Sequence, residues 1–223
     1  MLSGDAVVAI WNDITDAGRQ EFYAWHLHEH MPERAAIPGF RRGRRYIADD
    51  DDTRPEFFTL YEADSMAVLQ GGDYLARLNA PTPWTRRATA EFRNTARALA
   101  QVLQSEGPGA GGIALVVRFD APQAAAATLA ALVRQAAAAP RVPGAHLCAA
   151  DDTASSQRTA ESAGRSDLQA PPAWFAMVEA TDGDALAALL PESDLRAAGA
   201  NAIARGLYRL EYTCTEPEGA IGR

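Results

Sequence analysis

The chain predicts an α+β fold built from two βαββαβ units in tandem, and three observations carry that prediction. The same order of elements occurs twice, the markers of those elements keep a nearly constant offset, and a glycine-rich segment separates the two copies. Residues 6–13 (AVVAIWND) read as an apolar strand that runs into a helix-capping aspartate, and residues 113–120 (IALVVRFD) repeat it 107 positions later. Helical stretches follow at 21–32 and 123–133. A turn then comes at Ile37-Pro38-Gly39-Phe40 in the first half and at Val142-Pro143-Gly144-Ala145 in the second, an offset of 105. The next strand, 56–63 (EFFTLYEA), matches 173–180 (AWFAMVEA) at an offset of 117. The added twelve residues fall in 151–172, a Ser/Thr/Ala/Gly/Pro-rich stretch without periodicity that predicts a long mobile loop. Each copy ends with a second helix, 65–78 and 183–199, and a last strand, 95–103 and 204–213.

The predicted organisation is therefore a first ferredoxin-like repeat over 1–105, a flexible linker over 106–112 (EGPGAGG) and a second, degenerate repeat over 113–216. A four-stranded antiparallel sheet with both helices on one face leaves its other face apolar and bare. Two such sheets bury those faces by packing against each other.

Composition narrows the chemistry. The chain has 223 residues, 48% of them hydrophobic and 22% charged, enough for a substantial core. No apolar run approaches the ~20 residues of a membrane helix, and the N-terminus lacks a secretory pattern, so we expect a cytoplasmic protein with no membrane partner. With 21 basic against 29 acidic residues the net charge is −8, which disfavours nucleic acid. Every basic residue is an arginine. That removes Schiff-base catalysis and the phosphate-binding lysine of a P-loop. Cys148 and Cys214 belong to no metal-type pair and read as small apolar residues.

The helix Glu21-Phe22-Tyr23-Ala24-Trp25-His26-Leu27-His28-Glu29-His30-Met31-Pro32, with Pro38-Gly39-Phe40 soon after, resembles the H-x-P…PGF signature of dimeric α+β barrel proteins, nearest their EthD-like and antibiotic-biosynthesis-monooxygenase-like branches. The resemblance implies that the two sheets form an α+β barrel. It also implies small hydrophobic or aromatic substrates, bound between sheet and helices and often transformed with no cofactor. Related chlorite dismutases and dye-decolourising peroxidases hold haem through a histidine of the second half. Here that half offers only His146.

On a helix, residues advance by about 100°, so Phe22, His26 and His30 share a stripe with Tyr23 beside it. Imidazole titrates near neutrality, which makes His26 and His30 the candidate acid–base pair for an enolic or phenolic proton. Trp11, Tyr46 and Tyr61, with Phe22 and Tyr23, are the expected aromatic lining. The same helix also reads H-x-x-E-H, an inverted-zincin pattern, but Pro32 ends the helix and no third ligand follows, so no metal is expected. Arg41-Arg42-Gly43-Arg44-Arg45 predicts a solvated strand edge balanced by Asp49-Asp50-Asp51-Asp52 in a hairpin. The second half has no titratable group on its first helix, which leaves one site per chain.

Three functions compete on these grounds. The first is a cofactor-independent enzyme that carries out proton transfer, cyclisation or oxygenation on a small aromatic molecule. The second is a non-catalytic small-molecule binding or stress-related barrel. The third is a zinc hydrolase. Free strand edges and the proline-rich segment 79–85 predict a homodimer.

Overall fold

A computed structural model describes residues 1–163 and 165–215. Gly164 of the expected loop and residue 216, the expected end of the second repeat, lie outside them. Strands β1 (Ala6–Ile14), β2 (Phe40–Ala48), β3 (Phe57–Ala63) and β4 (Phe92–Glu106) pair in the order β4-β1-β3-β2. Strands β5 (Ile113–Asp120), β6 (Gly144–Ala150), β8 (Trp174–Ala180) and β9 (Asn201–Thr215) pair in the corresponding order β9-β5-β8-β6.

Instead of two open sheets laid face to face, these strands form one closed antiparallel barrel. β4 and β9 are each 15 residues long, and that length closes it. β4 pairs with β1 near its start and with β6 over 100–106, while β9 pairs with β5 near its start and with β2 over 208–215. Among the described residues β2 and β6 are thereby paired on both sides, which takes those two edges from a second subunit.

Along each strand, alternate side chains face the barrel interior. Val7, Ala9, Trp11, Tyr46, Phe58, Leu60, Phe175 and Met177 fill it, with Trp11 stacked on Phe58 at 5.2 Å. The opposite faces carry helices. In the first half these are α1 (Arg19–Trp25), a π-helical turn (His26–His30), α2 (Met31–Ala35), α3 (Met66–Leu69), α4 (Gly72–Asn79) and α5 (Pro83–Ala90). In the second, α6 (Ala126–Ala137) packs Leu129 and Val133 onto Val117, Leu147 and Ala176. Among the described residues no helix is long and apolar enough to cross a membrane.

Several expected elements change for local reasons. The stretch 65–78 is broken at Gly71 into α3 and α4, and of 183–199 only α8 (Glu192–Ala197) is helical. Pro191 caps α8 after Leu190 in a left-handed conformation, φ 47°, which ends any helix coming from the N-terminal side. Gly39 needs to be glycine, because its φ is +88° and a Cβ there would meet Val68 at 2.7 Å.

The arginine run corrects a second expectation. Arg42 and Arg44 point into the barrel, where Arg42 pairs with Glu62 at 2.9 Å and Arg44 reaches Glu62 at 3.0 Å and Glu179 at 2.6 Å. His146 joins them, Nε2 to Glu179 at 3.1 Å and Nδ1 to the Ser105 hydroxyl at 2.9 Å. Arg44 is only 1% exposed, so this is a buried charge cluster with balancing carboxylates rather than a solvated edge. Burial would raise the Glu179 carboxyl, but the bond from His146 and the charge of Arg44 outweigh it and hold the group below its usual range.

Candidate functional site

Between the outer face of the first-half strands and its helices lies a cavity of about 440 Å³, within the range of small-molecule pockets. Ile10 and Asn12 of β1, Thr59 of β3 and Thr95 and Arg97 of β4 form its floor. Trp25, His26, His30, Leu78, Thr89 and Phe92 form its walls.

The roof comes from the other half of the chain. Residues 151–172, expected as a mobile loop, contain α7 (Asp152–Ser156) and the two-residue strand β7 (Leu168–Gln169). The reason is the unpaired side of β4 before residue 100, whose backbone groups require partners. Asp151 N donates to Leu99 O at 2.8 Å, the Ser155 hydroxyl accepts from Leu99 N at 3.0 Å, and β7 runs parallel to Thr95 and Ala96. Glu161 pairs with Arg34, and Asp167 accepts from the Thr95 hydroxyl at 2.6 Å.

The sequence HLHEH forms a π-helical turn, a feature often found at functional sites, and Met31 N closes it on His26 O. The turn stacks the His26 ring on that of His30 at 5.5 Å, and Phe22 on His26 at 5.1 Å. His26 Nδ1 lies 3.5 Å from Arg45 Nη1, and its Nε2 lies 3.5 Å from the Tyr61 hydroxyl. An arginine only donates, so Nδ1 accepts and the ring proton sits on Nε2, facing Tyr61. Among the described residues Nδ1 of His30 has no hydrogen-bond partner.

Both imidazoles are neutral at pH 7. Burial, then Arg45 and Arg34, hold His26 well below 6.5. Burial, then Arg34 and His26, do the same to His30. Burial keeps Tyr61 a neutral phenol, well above its ordinary value.

The expected lining residues separate into two groups. Phe22 and Tyr61 buttress His26 from behind, and Tyr23 packs on Arg45 at 4.8 Å, all outside the cavity wall. Trp11 and Tyr46 lie across the sheet in the barrel interior. Of the other polar residues that line the cavity, Asn12, Thr59, Thr89, Thr95 and Arg97 on its floor and walls were not anticipated. The available signal was a polar side chain interrupting an apolar strand, as Thr59 does in FFTLYEA.

The metal pattern is taken apart by the fold. Glu29 turns away to accept from the hydroxyls of Thr82 at 2.6 Å and Thr85 at 3.1 Å. Among the described residues no third His, Cys, Asp or Glu joins His26 and His30. Arg34 and Arg45 beside the pair also oppose a cation. Nor does haem fit, because His146 is wholly buried with both ring nitrogens engaged by Ser105 and Glu179.

No family model matches this sequence, and no curated protein matches it. Solved structures do share its shape. An anthrone oxidase-like protein superposes with a TM-score of 0.62 at 12% identity, over 96% of this chain and 93% of that one. A candidate monooxygenase of Lactobacillus acidophilus NCFM gives 0.56 at 9% identity, over 95% and 97%. One from Fusobacterium nucleatum subsp. nucleatum gives 0.53 at 9%, over 98% and 97%. These proteins belong to the dimeric α+β barrel superfamily, and the closed, helix-flanked barrel described above is the α+β barrel fold that this chain shares with them.

Proposed function

We propose that the chain is an oxygenase-like barrel enzyme that needs no cofactor and acts on a small aromatic molecule in the first-half cavity, with His26 and His30 as its acid–base pair and the unpartnered Nδ1 of His30 as the proton acceptor. The observation that carries this reading is the pocket in which two neutral imidazoles meet apolar walls. Neither ring must lose a proton before it can accept one. An imidazolium next to Arg34 and Arg45 is unfavourable unless an anion stays beside it. Proton removal is therefore coupled to an occupied cavity, and the ion pair of imidazolium and substrate anion is the state the site stabilises.

The anion left by an enolic or phenolic aromatic is electron-rich enough to react with dioxygen directly. On an anthrone, the substrate type named for the structural neighbour, the methylene carbanion takes up dioxygen to give a hydroperoxide. Loss of water leaves a carbonyl, so each turnover consumes one O₂ and releases one water. Trp25 and Phe92, both buried, set apolar walls beside the anion.

The matching strand orders further support an EthD-like tandem of two ferredoxin-like units. A homodimer is the expected assembly, read as twice 23.8 kDa by light scattering.

The test is oxygen uptake by the purified protein with an anthrone, compared with His30→Ala at equal thermal stability. Losing a general base removes about a hundredfold or more of the rate. Unchanged turnover in His30→Ala overturns the assignment of His30 as the proton acceptor. Tight anthrone binding with no oxygen uptake in the native protein replaces the enzyme with a binding barrel.

A further inference from the structure

We infer that the ligand of this cavity is an organic anion, an aromatic molecule carrying a carboxylate, and that Arg97 is its anchor. The inference rests on reading the cavity as a ligand site and adds the chemical class of what enters it.

Arg97 is on the cavity floor, and its guanidinium donates to the Tyr74 hydroxyl at 3.2 Å with the Tyr74 ring 5.7 Å away. Among the described residues no carboxylate pairs with it. The second half supplies an internal control. Ile10 stands opposite Arg97 in the β1–β4 register, and Val117, the counterpart of Ile10, stands opposite Arg205 in the β5–β9 register. Arg205 thus occupies the corresponding place, but its guanidinium is engaged by the carbonyls of Leu189 and Leu190. The same position keeps an arginine in both halves, and the two differ in what holds them: two main-chain carbonyls hold Arg205, and one phenol hydroxyl holds Arg97. A buried or half-buried guanidinium without a counter-charge is costly, and a bound carboxylate removes that cost through a forked pair of hydrogen bonds.

The acids near the cavity are already spent. Glu161 in its wall pairs with Arg34, and Asp167 pairs with Arg165. The approach is basic too. An open cleft of about 750 Å³ adjoins the cavity, sharing Phe92, Glu161 and Arg165 with it, and brings Arg86 and Arg93 to its rim. In a chain of net charge −8, an arginine-lined entrance runs against the overall field and steers anions inward. The flat walls of Trp25 and Phe92 suit the aromatic part of the same molecule.

The experiment is calorimetric titration of the full chain with a naphthoate and with the naphthol of the same ring system, which lacks the carboxylate. The native protein is expected to prefer the naphthoate by roughly tenfold or more. Arg97→Met should abolish that preference while naphthol binds as before, and Arg97→Lys should restore part of it. Equal affinity for both probes in the native protein overturns the anion inference and leaves the cavity reading standing. So does Arg97→Met weakening both probes alike, which marks a packing role. Binding of neither probe overturns both readings.

Discussion

The two sheet–helix interfaces of the barrel share a strand order yet differ in what fills them. In the first half the paired positions Ile10 and Thr59 look into a cavity of about 440 Å³. Their counterparts Val117 and Ala176, paired the same way, are packed into the cluster beneath α6. The second half has a more open cleft of about 300 Å³ to one side, near Leu115, Thr53 and Arg205. The roofs differ in the same sense. Residues 49–56 cover the free side of β9, with Thr53 accepting from Leu207 N at 2.8 Å, and the longer 151–173 connection covers the free side of β4. The comparison teaches that one half of a repeated fold can be given over to core while its twin stays hollow, with the spare chain length of the solid half used to roof the hollow one.

The largest effect that would break the comparison is in the core of the solid half. Leu129→Ala should cost about 2–5 kcal/mol in urea unfolding, because Leu129 lies on the face of α6 that is packed onto the sheet. Leu78→Ala, in the cavity wall, should cost less than half as much, since part of that side chain already borders empty space. Equal costs would mean that the cavity collapses in solution.

Next in size is the response to mild acid at the two buried imidazoles of the hollow half. His26 and His30 have folded pKa values below their unfolded 6.5, so the unfolded chain binds protons first as pH falls. Their contribution to stability is present above pH 6.5 and is lost below it, by about 1.4 kcal/mol per pH unit for each imidazole. His26→Gln should remove about half of that slope in denaturation midpoints measured between neutral and acid pH. An unchanged slope would place the His26 ring in contact with solvent.

The element order and the histidine stripe were legible in the sequence, because each rests on spacing alone. The face on which Trp11 and Tyr46 point was not. Both sides of β1 are buried, one by the barrel and one by helices, so AVVAIWND carries no alternation that distinguishes them. The roof was illegible for a different reason. Nothing in 151–172 marks it as a cover, and what folds it down is the unpaired edge of β4, contributed from far away in the chain. Arg44 likewise read as surface, because its counter-charges Glu62 and Glu179 come from two different strands and meet only when the barrel closes.

A smaller effect sharpens the contrast at one pair of equivalent positions. Ala176→Phe forces a ring into packed core and should destabilise the protein by about 1–3 kcal/mol. Thr59→Phe places the same ring in open space and should change stability by less than about 1 kcal/mol while abolishing naphthoate binding. Thr59 is only 2% exposed, so its hydroxyl is also removed from a polar floor, which limits any gain from the added apolar contact. Both variants keep the backbone pairing with Ile10 or Val117, since a side chain does not enter the ladder. Whatever difference appears therefore reports the space above the sheet. If Thr59→Phe destabilises as much as Ala176→Phe, the two interfaces are equally full and the site belongs elsewhere on the barrel.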